Sequence, residues 1–246
     1  MGNLQPHIRF SEEEAAKYAI LPGDPKRVDR IAKFLDDVKE ITFNREYKSV
    51  SGYYKGVKVI AMSTGMGGPS TAIGVEELAN IGVEAMIRIG SCGALRSGIK
   101  LGDLVIVNGA VRDDGTSKAY IEQSYPSIPD TELLMDVIQA AKDMEYPYHV
   151  GIGRSHDCLY GDPKNNLDSY WGSKGVISSD METSTLFVVG SLRGVKTASI
   201  LNNVVEVDGD LMDGINSYVD AESAVAEGEK REILTALEAF VLMDKK

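Results

Sequence analysis

Short apolar runs alternate along this chain with segments in which apolar residues recur every three or four positions. Runs of strand length lie at 18–22, 47–54, 57–63, 84–89, 104–111, 149–153, 176–179 and 196–203. Helical spacing lies at 25–36, 70–81, 131–144, 184–190 and 219–243. Strands that alternate with helices predict an α/β fold built in layers. No repeat, linker or shift in composition divides the chain, so we expect residues 1–246 to form a single domain.

The first strand, a glycine turn and a helix start follow one another near the N-terminus. Gly23 follows the apolar run, Asp24 is a suitable N-cap and Pro25 suits the first helical position. The N-terminus of a helix attracts anions, and Arg27 lies one turn further on. Arg27 therefore either contributes to an anion site or is an ordinary solvated surface arginine.

A second glycine-rich segment, IRIGSCG at 87–93, carries an arginine close to the end of an apolar run. Burial of an unpaired guanidinium group is costly unless an anion or a carboxylate meets it. Gly90 and Gly93 let the backbone approach a ligand closely, and Ser91 adds a hydroxyl group. Arg88 therefore indicates either an anion site or an internal ion pair with a carboxylate of the chain.

Two acids, Asp180 and Glu182, follow the apolar run at 176–179. A carboxylate can accept hydrogen bonds from two adjacent sugar hydroxyls. The structural alternative is that Asp180 caps the next helix and Glu182 favours its first turn. Because ligands of open α/β sheets bind beyond the carboxyl ends of strands, we expect these acids to lie near Arg27 and Arg88. Arginine suits phosphate, so the pattern indicates a phosphate site beside a sugar site.

Composition limits the partners of such a site. The formal net charge of -11 argues against a basic face for nucleic acid, so an anion site must be a local arginine cluster. No apolar run reaches transmembrane length and the N-terminus has no signal-peptide pattern, so we expect a cytoplasmic protein with no membrane partner. Cys92 and Cys158 form neither a disulfide framework nor a metal-binding spacing.

Several motifs in the chain occur in the order and spacing of a known family. They are PHI at 6–8, LPGDPKR at 21–27, NREY at 44–47, STGMGGPSTAIGVEELANIG at 63–82, RIGSCGA at 88–94, DGTSKAY with YPSIPD at 114–130, and DMET at 180–183. With them the chain resembles the nucleoside phosphorylase-I family, especially its uridine phosphorylases, over nearly its whole length. The resemblance implies a three-layer αβα sandwich around a mixed, partly barrel-like β-sheet. It also implies a pentosyltransferase of nucleoside salvage that converts a ribonucleoside and phosphate reversibly into free base and ribose 1-phosphate.

The resemblance further implies a role for each matched residue. The residues expected to bind phosphate are Gly23, Arg27, Arg45, Arg88 and Ser91, with Arg45 supplied by a neighbouring subunit. Those expected to bind ribose are His7, also from the neighbour, Asp180, Met181 and Glu182. Arg88 and Glu182 are the expected catalytic residues. The expected partners are nucleoside, phosphate and further copies of the chain, in a dimer with shared sites and in a hexamer.

A monovalent cation is also implied by the resemblance, and no other cofactor is required. In the uridine enzymes the positions that match Glu46, the carbonyl of Met66 and Ser70 bind such a cation, K+, at the dimer interface.

The expected base pocket departs from the family pattern. Purine-cleaving relatives carry an Asp where this chain has Val204, and the nearest acid is Asp208. Uridine enzymes use a Gln and an Arg shortly after an aromatic residue, and residues 158–165 contain neither. The base-binding candidates there are Leu159, Tyr160, Asp162 and Lys164.

The missing purine acid favours uridine or a related pyrimidine nucleoside as the substrate, with a purine nucleoside as the alternative. A hydrolytic nucleosidase and a non-catalytic nucleoside-binding protein are further alternatives. The complete set of phosphate arginines argues against both.

Overall fold

The computed structural model describes residues 4–160, 167–207, 209 and 223–246. The strands of these residues are β1 Tyr18–Pro22, β2 Asp36–Asn44, β3 Tyr47–Tyr54, β4 Val57–Met62, β5 Ala85–Ala94, β6 Leu104–Asp113, β7 Tyr148–His156, β8 Ser178–Asp180 and β9 Lys196–Val205. The helices are α1 Pro25–Ala32, α2 Gly68–Asn80, α3 Gly115–Tyr120, α4 Thr131–Asp143, α5 Asp168–Ser173, α6 Thr183–Leu192 and α7 Ser223–Asp244. Within the described residues no helix has the length and apolar character needed to cross a membrane.

All of these strands belong to one mixed sheet, part of which closes into a ring. The order is β2-β3-β4-β1-β5-β8-β7-β6-β9, and β5 also pairs with β9. The strands β5, β8, β7, β6 and β9 therefore form a closed ring, while β1 to β4 extend it as an open sheet. Strand β5 is parallel to β1 and β9 and antiparallel to β8. This is the mixed, partly barrel-like sheet that the family resemblance implied.

Helices cover both faces of the sheet and bury a core on each side. On one face α1, α4 and α7 contribute apolar side chains such as Val28, Val137 and Phe240. On the other face α2 and α6 contribute side chains such as Val75 and Phe187. Each fully buried side chain of this size stabilises the fold by about 1.5–3 kcal/mol. The three-layer αβα arrangement expected from the sequence is confirmed.

The first βα unit forms as predicted at its start and differs at its end. Strand β1 spans the predicted residues, and α1 begins at Pro25 with the Asp24 carboxylate accepting a hydrogen bond from the Lys26 N–H at 2.9 Å. The helix was expected to continue to Asp36 but ends at Ala32, and β2 begins at Asp36. Strand β2 exposes most of its side chains, so it has no alternation of apolar and polar residues that would predict a strand.

The start of α2 also differs from the helical spacing at 70–81, because the helix begins before Ser70. The helix begins at Gly68, and its N-cap is Gly67, with φ of 90°. The hydroxyl groups of Ser70 and Thr71 donate to the carbonyl oxygen of Gly67, at 3.3 and 3.0 Å. Gly82 lies just after the helix with φ of 89°, as expected of a C-terminal glycine.

Two segments outside the predicted strands and helices contain regular structure. Helix α3 lies between the predicted strand at 104–111 and the predicted helix at 131–144, capped by Asp114, whose carboxylate accepts from the Ser117 N–H at 2.6 Å. Arg154 belongs to β7, and α5 begins at Asp168. Short helices of this kind are set by capping and by tertiary contacts rather than by an apolar repeat.

Candidate active site

Five of the predicted site residues, Gly23, Arg27, Arg88, Asp180 and Glu182, belong to elements that meet at one edge of the sheet. Strands β1, β4, β5 and β9 run parallel within it, so their carboxyl ends lie on the same side. The loops after β1 and β4 touch there, because the Gly65 N–H donates to the Gly23 carbonyl at 3.0 Å. Arg88 and Ser91 were expected just after a strand but lie within β5, which continues to Ala94.

Arg88 lies between two carboxylates. Its Nε donates to Asp180 at 2.9 Å, and its Nη2 lies 2.6 Å from a Glu182 oxygen. All three side chains are at least 90% buried. Burial alone would lower the pKa of Arg88, but the two carboxylates raise it above its ordinary value, so the guanidinium stays charged. The internal ion pair considered from the sequence is therefore present.

The guanidinium group of Arg88 folds back over the backbone of its own strand at Gly90. A Cβ atom on Gly90 would lie 2.5 Å from Nη2 and 2.7 Å from Cζ of Arg88. Any side chain there would displace the guanidinium from its two carboxylates. A glycine at position 90 is therefore required by the conformation of Arg88.

Glu182 connects Arg88 to the glycine loop after β4. Its second oxygen accepts a hydrogen bond from the Gly67 N–H at 2.5 Å. Burial raises the pKa of Glu182 above its ordinary value despite the opposing effect of Arg88. Each oxygen thus has a partner in the chain, and the Met181 N–H also donates to the carboxylate. A carboxylate has about four acceptor positions, so Glu182 keeps acceptor capacity for a sugar hydroxyl.

The Asp180 carboxylate is occupied by groups of its own chain. Besides Arg88, it accepts from the Ser155 hydroxyl at 2.6 Å and from the Thr183 N–H and hydroxyl at 3.0 and 2.5 Å. The bond to the Thr183 N–H joins Asp180 to the start of α6, but the N-cap of this helix is Glu182 and not Asp180 as considered from the sequence. Asp180 therefore anchors Arg88 to the start of α6.

Arg27 is buried, which excludes the solvated surface role considered for it. Its Nε donates to Glu229 at 3.2 Å, its Nη1 donates to the Ile89 carbonyl at 3.3 Å, and Nη1 also lies 3.0 Å from Glu232. The other Glu232 oxygen accepts from the Gly90 N–H at 3.0 Å. Arg27 thus contacts Ile89 directly and Gly90 through Glu232, while the guanidinium of Arg88 lies over Gly90.

Glu229 and Glu232 were not identified from the sequence. They lie three residues apart on α7 and belong to its buried stripe, with Ile233, Ala236 and Leu237. Acids on the apolar face of an amphipathic helix were the signal that could have revealed them.

Arg45 and His7 lie away from the arginines of their own chain. Arg45 is exposed at the tip of the β2–β3 hairpin with φ of 55°. The His7 ring contacts Glu77 on α2, with Nδ1 2.6 Å from the carboxylate. In the described part of the chain, no hydrogen bond or ion pair joins either residue to Arg88.

Glu77 is a third residue that was not identified from the sequence. Its side chain is 8% exposed, and its carboxylate accepts from the backbone N–H groups of His7 and Ile8 at 2.9 and 2.8 Å. It therefore fixes both the backbone and the ring of His7.

The residues proposed for a monovalent cation come together in the structure. A Cβ atom on Gly65 would lie 2.9 Å from Cγ of Glu46 and 3.4 Å from Oγ of Ser70. The Ser70 hydroxyl lies 3.3 Å from the Met66 carbonyl oxygen. Carboxylate, carbonyl and hydroxyl oxygens suit a hard cation. Clusters of three or more His, Cys, Asp or Glu suited to a transition metal are absent from the described residues.

The base-binding candidates are only partly described. Leu159 and Tyr160 are exposed on the segment after β7, whereas Asp162 and Lys164 lie outside the described residues, as does Asp208. Val204 is buried against Val205 and Val225.

Three further residues border the arginines. Ser91 and Met181 are partly exposed, whereas Cys92 is buried. Burial raises the pKa of the Cys92 thiol well above its ordinary value, so it stays protonated and serves as a packing residue.

Comparison with known proteins relates this chain to phosphorylases by both sequence and structure. A family model described as the phosphorylase superfamily matches residues 17–229. The guanosine phosphorylase of Halorubrum lacusprofundi is 38% identical over 95% of each chain. The uridine phosphorylase of Thermococcus kodakarensis is 41% identical over 80% of this chain and 76% of its own. The crystal structure of uridine phosphorylase from Vibrio fischeri ES114 matches 97% of each chain with a TM-score of 0.90 and 43% identity.

Proposed function

The chain belongs to the phosphorylase superfamily and is a nucleoside phosphorylase, and we propose that it cleaves uridine or a related pyrimidine ribonucleoside. Its products are the free base and ribose 1-phosphate. The observation that supports this most is the contact between Arg88 and Glu182 at 2.6 Å. It puts a group that suits phosphate directly beside one that suits a sugar diol.

Phosphate binds at the edge of the sheet where Arg27 and Arg88 contact the same segment of β5. Both guanidinium groups are fixed by carboxylates, and Gly23 and Ser91 lie at the same edge. Arg45 completes the site from a neighbouring subunit, since it is exposed and, among the described residues, makes no hydrogen bond or ion pair with Arg27 or Arg88 of its own chain. Guanidinium groups position phosphate through charge-assisted, bidentate hydrogen bonds.

Ribose binds next to the phosphate, with its 2′- and 3′-hydroxyls on Glu182 and with Met181 against the ring. His7 of the neighbouring subunit meets the 5′-hydroxyl through Nε2, because its Nδ1 is engaged by Glu77. Asp180 acts on ribose indirectly by orienting Arg88.

The reaction needs no covalent enzyme intermediate. Phosphate attacks the anomeric carbon as the glycosidic bond breaks, and the arginines supply the proximity and orientation. Positive charge develops on the sugar in an oxocarbenium-like transition state. The bound phosphate faces that charge, so the attraction is stronger in the transition state than in the ground state. The base leaves as an anion that hydrogen bonds or a proton stabilise.

The base preference rests on Val204. Purine relatives carry an acid at this position to protonate the leaving base, and a buried valine cannot do so. The residues proposed to contact the pyrimidine base are Leu159, Tyr160, Asp162 and Lys164. A purine nucleoside such as guanosine is the second candidate, because the Halorubrum relative named for guanosine matches 95% of this chain.

The assembly, cation and location expected from the sequence are also part of the proposal. The chain forms a homo-oligomer, a hexamer built of dimers with shared sites, and acts in nucleoside salvage in the cytoplasm. Glu46, the Met66 carbonyl and Ser70 would hold K+ at the dimer interface, where it would offset the carboxylate charge.

The decisive experiment is base release from a panel of nucleosides with and without phosphate. We expect release from uridine or a related pyrimidine nucleoside that depends on phosphate and yields ribose 1-phosphate. Release from purine nucleosides alone would overturn the pyrimidine assignment. Release without phosphate would indicate a hydrolase, and nucleoside binding without turnover would indicate a binding protein.

A further inference from the structure

The buried charges around Ile89 and Gly90 do not favour a second anion. Arg27 and Arg88 contact four carboxylates, which belong to Asp180, Glu182, Glu229 and Glu232. Arg30 also pairs with Glu229. Arg30 pairs with Asp24 as well, so with every group in its ordinary state the three arginines face five negative charges. A phosphate dianion would add two more in a site with little water, at a high electrostatic cost.

Glu232 is the most deeply buried of these four acids. Its side chain is fully shielded from solvent, with one oxygen 3.0 Å from Arg27 Nη1 and the other 3.0 Å from the Gly90 nitrogen. From β5 it faces Arg88 and the Cys92 thiol, and on its own helix it faces Glu229. The backbone contact at Gly90 fixes the position of the carboxyl group in either protonation state.

The charge of Glu232 can change in the neutral to weakly alkaline range. Burial raises its pKa to about 8 despite the opposing effect of Arg27. The Cys92 thiol titrates well above its ordinary value, and the pKa of Arg88 is raised further. Neither of these neighbours changes charge between pH 7 and 9.

We propose that Glu232 is a positioning residue that takes up a proton when an oxyanion dianion binds beside Arg27 and Arg88. The inference rests on the proposed function of the same site. Protonation of Glu232 removes one of the negative charges that pair with Arg27. The Arg27 guanidinium then becomes available to the incoming anion. Loss of that proton at alkaline pH returns the charge and weakens anion binding.

Sulfate is the probe that isolates this effect. It has the shape and charge of a phosphate dianion, yet it does not titrate in the neutral and alkaline range. If only the protonated form binds, the dissociation constant rises by about tenfold per pH unit above the pKa of Glu232.

The test compares sulfate binding by calorimetry between pH 6.5 and 9.5 for the wild type and Glu232→Gln. In the wild type we expect the dissociation constant to rise at least about tenfold over this range. In Glu232→Gln, which cannot ionise, we expect a change of less than about twofold. Glu238→Gln is the matched control, because Glu238 lies on the same helix but contacts Tyr54 and Lys55. Its pH profile should match that of the wild type.

A second measurement needs no variant and covers the case in which Glu232→Gln fails to fold. Sulfate titrations of the wild type at pH 8 in two buffers of different ionisation enthalpy give the number of protons exchanged. We expect uptake of about half a proton, and no uptake would overturn the proposal. An unchanged pH profile in a folded Glu232→Gln protein would overturn it as well. Failure of the wild type to bind sulfate or phosphate at any pH would instead reject the phosphate site itself.

Discussion

The three arginines proposed for phosphate differ in how the chain holds them. Arg27 and Arg88 are buried and fixed by carboxylates, whereas Arg45 is exposed and has φ of 55°. A side chain other than glycine in this left-handed region costs about 1 kcal/mol or more. Such strain is tolerated mainly where a side chain is needed for function, and nothing in the hairpin itself requires an arginine.

The variant Arg45→Gly should therefore separate stability from function. We expect its free energy of unfolding to stay unchanged or rise by up to about 1 kcal/mol, because glycine adopts this conformation freely. The KM for phosphate should rise about tenfold or more, since a charge-assisted contact is lost. Urea unfolding and phosphate saturation kinetics measure the two effects. Arg45→Ala, which keeps a Cβ atom and its strain, is the control, and unchanged phosphate kinetics in both variants would contradict the role of Arg45.

The positions of individual residues were predicted well where those residues lie close to the end of an apolar run. Gly23, Arg27, Arg88 and Glu182 all lie at the predicted edge of the sheet. The acids that fix these groups were harder to predict, because Glu229 and Glu232 approach from the last helix of the chain. Ion pairs between residues so far apart in the chain are set by tertiary packing, so the local spacing of residues in the sequence does not reveal them.

At the scale of elements, the start of α2 supports the ribose site. The Gly67 N–H at this helix start donates to Glu182, and the next residue packs tightly against α3 and α6. A Cβ atom on Gly68 would lie 2.7 Å from Thr185 Oγ1 and 2.8 Å from Thr116 Oγ1. The close approach of three helices thus depends on this glycine.

The variant Gly68→Ala should push α2 away from α6 and weaken the Gly67–Glu182 contact. We expect a loss of stability of about 1–3 kcal/mol and a rise in the KM for the nucleoside. Thermal unfolding and steady-state kinetics measure the two changes. Gly74→Ala on the same helix is the control, because its Cβ would meet the flexible end of Met62 at 3.1 Å and the Tyr47 ring at 3.3 Å, both less close than the contacts at Gly68. Equal effects of both variants on KM would argue against a specific role for the start of α2.

Helices and strands with a clear apolar pattern were predicted from the sequence. Edge strands and short helices that depend on capping residues were not. The β3–β4 hairpin and the helices α2 and α4 follow the sequence periodicity closely. Strand β2 was missed because it lies at the edge of the sheet with most of its side chains exposed. It pairs with β3 through backbone hydrogen bonds, which do not require a particular pattern of side chains in the sequence.

At the scale of the whole molecule, the proposed sites are shared between subunits. Arg45 and Arg88 would then serve the same site from different chains. Arg45→Ala and Arg88→Ala should each have low activity alone. Mixed after subunit exchange, they should recover about a quarter of the wild-type activity, because half of the random dimers contain one intact site. Activity assays on the exchanged mixture test this, and no recovery, with exchange verified by mass after isotope labelling of one variant, would contradict shared sites.

The ring formed by β5, β8, β7, β6 and β9 also affects how the base preference of such an enzyme can change during evolution. Arg154, on β7 shortly before the base-binding segment, pairs with Asp113 at the end of β6 and with Asp168 after the segment, at 2.7 and 2.9 Å. The two flanks of the segment, Arg154 itself and Asp168, are therefore both tied to the ring of strands. Substitutions between these flanks can accumulate while the phosphate half of the site keeps its framework. That separation suits a lineage in which relatives of comparable identity are named for guanosine and for uridine.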